Sequence, residues 1–319
     1  MWDFWLVDDG QQYHLFFLYA SRALKNPSAR HYRASVGHAV SDDLDTWERV
    51  TDALVRSDAP AFDDLATWTG STVRHPDGRW FMFYTGGTAA PSHSNIQTIG
   101  YATSDDLLSW EKAPGPVLAV DRTWYESLAD GLWHDEAFRD PWVLPDPDGD
   151  GWHMLITARA NHGPADDRGV VGHAWSADLE TWELREPLSS PGQGFAQLEA
   201  VQTAVVDGRQ VLVFSCRARE CSRSKRATGT TGGIWVAQSH SPLGPYDVAG
   251  AQLLTDDQHY VGKFIDDRAT GESMFLAFRY YDERGQFVGE IESPRRATWD
   301  CDGVLRLASL PVQAEGQSS

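Results

Sequence analysis

Three carboxylates in this 319-residue chain stand where apolar or aromatic runs begin. They are Asp3 in Trp2-Asp3-Phe4-Trp5, Asp140 in Phe138-Arg139-Asp140-Pro141-Trp142-Val143, and Glu199 in Gln197-Leu198-Glu199-Ala200-Val201-Gln202. A charge at the head of a buried strand is unfavourable unless it is paired or used. Pro141 fits such a position because a first strand residue need not donate to the ladder. The Arg139-Asp140 pair therefore reads in two ways, as a guanidinium and a carboxylate aimed into a pocket or as a turn Asp paired with its neighbour. If all three carboxylates converge, their repulsion raises at least one carboxyl pKa. A protonated carboxyl beside an ionised one is the pairing that glycosidic bond cleavage requires, one group as nucleophile and one as acid/base.

The elements that must bring these residues together recur along the chain. Ser41-Asp42-Asp43-Leu44-Asp45-Thr46-Trp47 returns as Ser104-Asp105-Asp106-Leu107-Leu108-Ser109-Trp110 and as Ser176-Ala177-Asp178-Leu179-Glu180-Thr181-Trp182. A divergent copy follows at Ser239-His240-Ser241-Pro242-Leu243-Gly244-Pro245-Tyr246. Repeats of this length are stacked supersecondary units. Within each, an apolar strand, a Gly/Asp turn and a strongly aromatic strand precede a long loop, a Gly-rich strand and the Ser-Asp-Leu-Trp turn. Their β-branched and aromatic content and turn signals indicate antiparallel strands. Units beginning near Trp2, Trp68, Phe138, Gln197 and His259 make five, so the expected fold is all-β, a five-bladed β-propeller. It is expected as a single domain over 1–312, without a C-terminal β-sandwich, followed by a polar tail over 313–319. The first strand of each unit would line the central channel, bringing Asp3, Asp140 and Glu199 to one mouth.

Composition narrows the partners. The formal net charge of −19 argues against nucleic acid or an anionic membrane as partner, although acidity of this kind is also simply solubilising. Cys216, Cys221 and Cys301 are an odd set that implies no disulfide framework. The first residues carry no basic and apolar leader, and 18 apolar residues nowhere run together, so a cytoplasmic location is expected. Asp146, Asp148 and Asp150 resemble a calcium loop but lack a distal Glu, so no metal and no cofactor are expected.

These motifs resemble those of the five-bladed propeller glycosidases, glycoside hydrolase families 32 and 68, with family 43 more distant. Trp2-Asp3 is similar to the Trp-Asp of levansucrases and the Asn-Asp-Pro of invertases, and Trp68-Thr69-Gly70-Ser71 to their Trp-Ser-Gly-Ser. Arg139-Asp140-Pro141 matches their Arg-Asp-Pro, and Glu199 sits where their acid/base glutamate falls, with Ala200 replacing the Cys of the family 32 Glu-Cys motif. The resemblance covers essentially the whole chain. It implies a retaining hydrolase of β-fructofuranosides such as sucrose or short fructans, with some transfer to other sugars. Asp3 would be the nucleophile, Glu199 the acid/base, and Asp140 with Arg139 a grip on sugar hydroxyls. Two departures accompany it: the families place a leading segment before the nucleophile, and family 32 enzymes usually carry a β-sandwich after the propeller.

Trp5, Trp68, Ser71 and His259 are further candidates for contact with a small-molecule or oligosaccharide substrate. Glu136, in His134-Asp135-Glu136, is a rival carboxylate for the acid/base role, and the polar loop 159–168 is a candidate wall. Two alternatives remain open, an inverting arabinofuranosidase or xylosidase of the family 43 type and a carbohydrate-binding propeller without activity.

Overall fold

A computed structural model describes residues 1–282 and 284–309 of the chain. The tail expected over 313–319 lies outside them. Five antiparallel sheets follow one another along the sequence. Their inner strands are Trp2–Asp8, Ala66–Arg74, Arg139–Pro145, Glu199–Val206 and His259–Asp266. These pack side by side around the centre of a ring, and the Met1 ammonium donates to the Gly289 carbonyl at 3.3 Å where the first blade meets the fifth. The fold is the five-bladed β-propeller that the repeat implied.

The second strands explain the aromatic runs. Trp80–Ala89 and Trp152–Arg159 are buried almost end to end, because each faces a neighbouring blade on both sides and alternation gives way to continuous apolar sequence. Phe81 and Phe83 of the second blade share a cluster with Phe138, Met154 and Ile156 of the third. Leu155 and Val171 of the third pack with Leu198, Leu212 and Phe214 of the fourth. Each such side chain contributes about 1.5 to 3 kcal/mol of burial.

Four blades have four strands, but the fifth has five. Its third strand is broken into Phe287–Ile291 and Arg295–Trp299, both paired with Ser273–Tyr281. Pro294 lies in the break and has no N–H to offer a ladder. Among the described residues no helix is long and apolar enough to cross a membrane.

The repeated turn is a local hydrogen-bond device. Asp43 Oδ1 accepts from the N–H groups of Asp45 and Thr46 at 2.9 and 2.7 Å, and the Trp47 indole donates to the Leu44 carbonyl at 3.0 Å. Asp106 and Asp178 make the same contacts in the next two blades. In the divergent copy the Tyr246 hydroxyl replaces the indole and donates to the Pro242 carbonyl at 2.5 Å.

A second repeat was not legible as a motif. Every inner strand slips register near its start. The extra residue is Asp3, Thr69, Asp140, Ala200 or Val261, and four of these hold a positive φ: 34° at Asp3, 56° at Asp140, 51° at Ala200 and 48° at Val261. Such a backbone costs on the order of 1 to 3 kcal/mol per residue and needs surroundings that fix it. For three of the four, hydroxyls on the preceding blade's second strand supply them. Asp140 N–H donates to Thr85 Oγ1 at 2.9 Å, Ala200 N–H to Thr157 Oγ1 at 3.1 Å, and Val261 N–H to Ser215 Oγ at 2.9 Å. In the second blade the sheet closes so tightly that a Cβ on Gly70 would sit 1.9 Å from the Phe83 carbonyl oxygen.

Candidate active site

A pocket of about 610 Å³ opens at the end of the ring where these bulges lie, within the usual range for small-ligand sites. In a regular strand only alternate side chains share a face. A bulge turns two successive residues the same way, and all five pairs line this pocket: Trp2 and Asp3, Trp68 and Thr69, Arg139 and Asp140, Glu199 and Ala200, Tyr260 and Val261. The carboxylates of Asp3, Asp140 and Glu199 thus reach one cavity from three blades.

Each has its own partners. Thr69 Oγ1 donates to Asp3 Oδ2 at 3.0 Å. Asp140 Oδ2 accepts from Thr157 Oγ1 at 3.1 Å and from Ala200 N–H at 3.2 Å, with Arg139 Nε 3.5 Å away. Glu199 receives the Arg139 guanidinium on one oxygen and the Tyr260 hydroxyl on the other. Arg139 also donates to Gln197 Oε1 at 2.6 Å and Gln97 Oε1 at 3.3 Å, which fixes its plane. The neighbouring Arg and Asp are therefore both paired and aimed into the pocket.

Burial and crowding shift the acids. Loss of hydration, reinforced by the Glu199 charge, pushes Asp3 up to about 6 against the Thr69 hydrogen bond. Loss of hydration pushes Asp140 to about 7; Arg139 opposes the shift, while the Glu199 and Asp3 charges add to it. Burial alone would disfavour the charge on Arg139, but Glu199, Asp135 and Asp140 outweigh it and hold the guanidinium more firmly protonated than usual. The pocket therefore holds two carboxyl groups, Asp3 and Asp140, that change protonation near neutral pH.

Trp68 lines the pocket with its indole donating to the His31 carbonyl at 2.7 Å. Trp5 and Ser71 do not line it. They stand two residues beyond the bulge, in a layer beneath the floor that ties blade to blade. The Trp5 indole donates to Thr72 Oγ1 at 3.1 Å, and Ser71 Oγ accepts from Val143 N–H at 3.0 Å. His259 is also outside the lining and is held by Asp256 at 2.8 Å and Glu292 at 3.1 Å. The bulge pair in that strand is Tyr260-Val261, so the reading fell one residue short and a one-residue step in a strand reverses the face. Glu136 is likewise away from the cavity, accepting from Leu128 N–H at 2.6 Å. Loop 159–168 does not form a wall: Arg159 is buried against Glu126 and donates to the Ala196 carbonyl at 2.6 Å. His134 and Asp135 do reach the rim.

Sequence reasoning missed Tyr260, Gln97, Gln197, Arg30, Arg217 and Glu220, all of which line the pocket. Aligning the five strand starts on Trp2-Asp3 would have found Tyr260. Of the others, Gln97 stands on a third strand, Arg217 at the end of a second, Arg30 and Glu220 in short 3-10 turns and Gln197 just before an inner strand, so they carry no shared spacing.

The model of the glycosyl hydrolases family 32 N-terminal domain matches residues 5–258. The chain belongs to glycoside hydrolase family 32. The match contains Asp140 and Glu199, and Asp3 lies two residues before its start. Among curated proteins, the vacuolar acid β-fructofuranosidase 4 of Arabidopsis thaliana is 32% identical over 154 residues, 47% of this chain and 20% of that protein. Fructan 1-exohydrolase w2 of Triticum aestivum is 35% identical over 130 residues, 39% of this chain and 20% of that protein. The chain spans about a fifth of the length of these curated relatives. Among solved structures, the inulosucrase from Halalkalicoccus jeotgali bound to kestose superposes with a TM-score of 0.76 at 23% identity, over 96% of this chain and 86% of that one. A Bombyx mori family 32 β-fructofuranosidase gives 0.69 at 19% identity, over 94% and 60%. At these identities the structural likeness establishes the shared propeller.

Proposed function

We propose that this family 32 protein hydrolyses β-fructofuranosides, sucrose or short fructans, with retention of configuration. The observation that carries the reading is the convergence of Asp3 and Glu199 on one pocket with Asp140 and Arg139 between them. In the first step the Asp3 carboxylate attacks the anomeric carbon, the glycosidic C–O bond breaks, and the departing oxygen takes the proton of Glu199. In the second step Glu199 removes a proton from water, the resulting oxygen attacks the same carbon, and the ester bond to Asp3 breaks. A sugar hydroxyl in place of water gives transfer. Asp140, held by Thr157 and the Ala200 N–H, accepts sugar hydroxyls and opposes the positive charge that develops on the ring.

The relatives named for β-fructofuranosidase and fructan exohydrolase activity support this substrate class. The test is to incubate the protein with sucrose, inulin-type oligosaccharides and aryl arabinofuranosides and to follow the first-formed anomer by NMR. Fructose released with retention is expected. Arabinose or xylose released with inversion would place the activity with the family 43 type, and no cleavage of any furanoside would leave a binding propeller.

A further inference from the structure

Beneath the pocket floor, two residues beyond each bulge, stand Trp5, Ser71, Trp142, Gln202 and Lys263. Lys263 is the charged member of this layer and is 1% exposed. Its Nζ donates to the Ala200 carbonyl at 2.8 Å and lies 3.4 Å from the Val201 carbonyl, with the Trp142 ring centre 5.3 Å away. These partners carry no charge, and among the described residues no carboxylate pairs with it directly. A buried cation without a paired anion costs several kcal/mol unless nearby negative charge compensates it.

The geometry supplies that compensation through one peptide group. Lys263 grips the carbonyl of Ala200, and the N–H of Ala200 donates to Asp140 Oδ2 at 3.2 Å. Ala200 is also the bulged residue next to Glu199, so the ammonium holds the turn that aims the acid/base candidate. The charged groups that act on Lys263 from neighbouring inner strands are Asp140 in the third blade and Asp3 in the first, while the Gln202 side chain of the fourth is occupied by the Phe264 backbone. On its own strand Tyr260 is turned to Glu199. Burial lowers the Lys263 pKa to about 8, and the Asp140 and Asp3 charges limit the fall.

We propose that Lys263 is a positioning residue for the fructoside-cleaving reaction: it fixes the Ala200 bulge and, from below the floor, favours the ionised forms of Asp3 and Asp140. This rests on the function proposed above, with Lys263 never touching the sugar. The test compares Lys263→Gln, which keeps hydrogen-bond donors and removes the charge, with Lys263→Arg, which keeps both. In Lys263→Gln the acid limb of the kcat/KM–pH profile is expected to move up by about one pH unit, the effect of one charge at short range in a protein interior. Lys263→Arg should leave that limb in place. A Lys263→Gln profile that is uniformly scaled down, with its limb unmoved, would reduce Lys263 to a structural prop and overturn the proposal.

Two measurements keep the question open to decision if activity or folding fails. Carbon-13 NMR titration of the aspartate carboxyls reports the same shift without substrate, so an inactive wild type would sink the proposed function while this titration still decides the role of Lys263. If Lys263→Gln does not fold, nitrogen-15 NMR of the lysine ammonium groups serves instead, in the wild type and in Asp140→Asn. Coupling is reciprocal, so removing the Asp140 charge must lower the Lys263 pKa. An unchanged Lys263 titration would refute the coupling.

Discussion

Replacing Asp140 by Asn should stabilise this protein while inactivating it, and the gain should depend on pH. The folded-state pKa of Asp140 is raised from 3.8 to about 7. Below pH 4 the group is protonated whether the chain is folded or not, and the fold gains or loses nothing. Between pH 4 and 7 the unfolded chain releases the proton and the folded one keeps it, so stability declines as pH rises, and above pH 7 the whole penalty is present. A shift of about three units at about 1.4 kcal/mol each sets an upper bound of about 4 kcal/mol. That bound already contains the attraction to Arg139 and the repulsion from Glu199 and Asp3; relaxation of the pocket and water entry reduce it, so about half is expected. The Asn carbonyl still accepts from Thr157 and Ala200. For a chain of this size about 2 kcal/mol corresponds to roughly 3 °C in Tm. Calorimetry at pH 5 and pH 8 should show a small difference from wild type at the first and the full gain at the second, with turnover down at least 100-fold. A Tm difference that is the same at both pH values, or a loss at pH 8, would refute the reasoning that burying the Asp140 charge costs the fold more than its partners return.

Three further outcomes follow from other parts of the molecule. Asp3→Asn should abolish release of fructose and, because Asp3 is likewise buried and raised to about 6, should raise Tm modestly at pH 8 and hardly at pH 4, the Asn still accepting from Thr69; near-full activity on sucrose and fructans would remove Asp3 from the nucleophile role. Gly70→Ala should destabilise by more than about 3 kcal/mol, read from the urea midpoint, since the new Cβ meets a backbone oxygen at 1.9 Å that cannot swing aside. Two buried histidine pairs should make acid destabilising. His14 bridges Asp9 and His38, and His153 bridges Asp146 and His173, with burial lowering His38 to about 3 and His173 to about 4. Their folded pKa values lie below the unfolded value, so their stability is intact above pH 6.5 and is lost as pH falls toward 4. In an Asp3→Asn/Asp140→Asn background, which removes the opposing trend of both buried acids, the urea midpoint should drop from pH 7 to pH 5, and His38→Gln with His173→Gln should flatten that slope.

The repeat, the blade count and the three strand-start carboxylates were legible because each leaves a one-dimensional mark: an Asp that caps a turn, a Trp that covers it, a charge heading an apolar run. What decided membership of the pocket was the bulge, and a bulge has no residue signature here, since Asp, Thr, Ala and Val all occupy it. Without that phase, Trp5 and Ser71 were placed one layer too high and His259 one residue too early. The hydroxyls of Thr85, Thr157 and Ser215 were invisible for a related reason. Each serves the next blade, so its role appears only when two units more than forty residues apart are laid side by side. Lys263 in an apolar strand was a readable anomaly of the kind that marked Arg139 and Asp140, yet its purpose depends on a peptide group in another blade.

The bulge ring also describes how such a site can be altered. Each blade offers two adjacent addresses at the pocket floor, ten in all around the ring, and those addresses are defined by backbone geometry and independent of what occupies them. A side chain exchanged at one of them changes the chemistry of the cavity while the strand pairing within each blade stays as it is. Five pairs already differ here: aromatic with acid, aromatic with hydroxyl, base with acid, acid with methyl, phenol with isopropyl. A scaffold of this kind separates the inheritance of its shape from the inheritance of its reactivity.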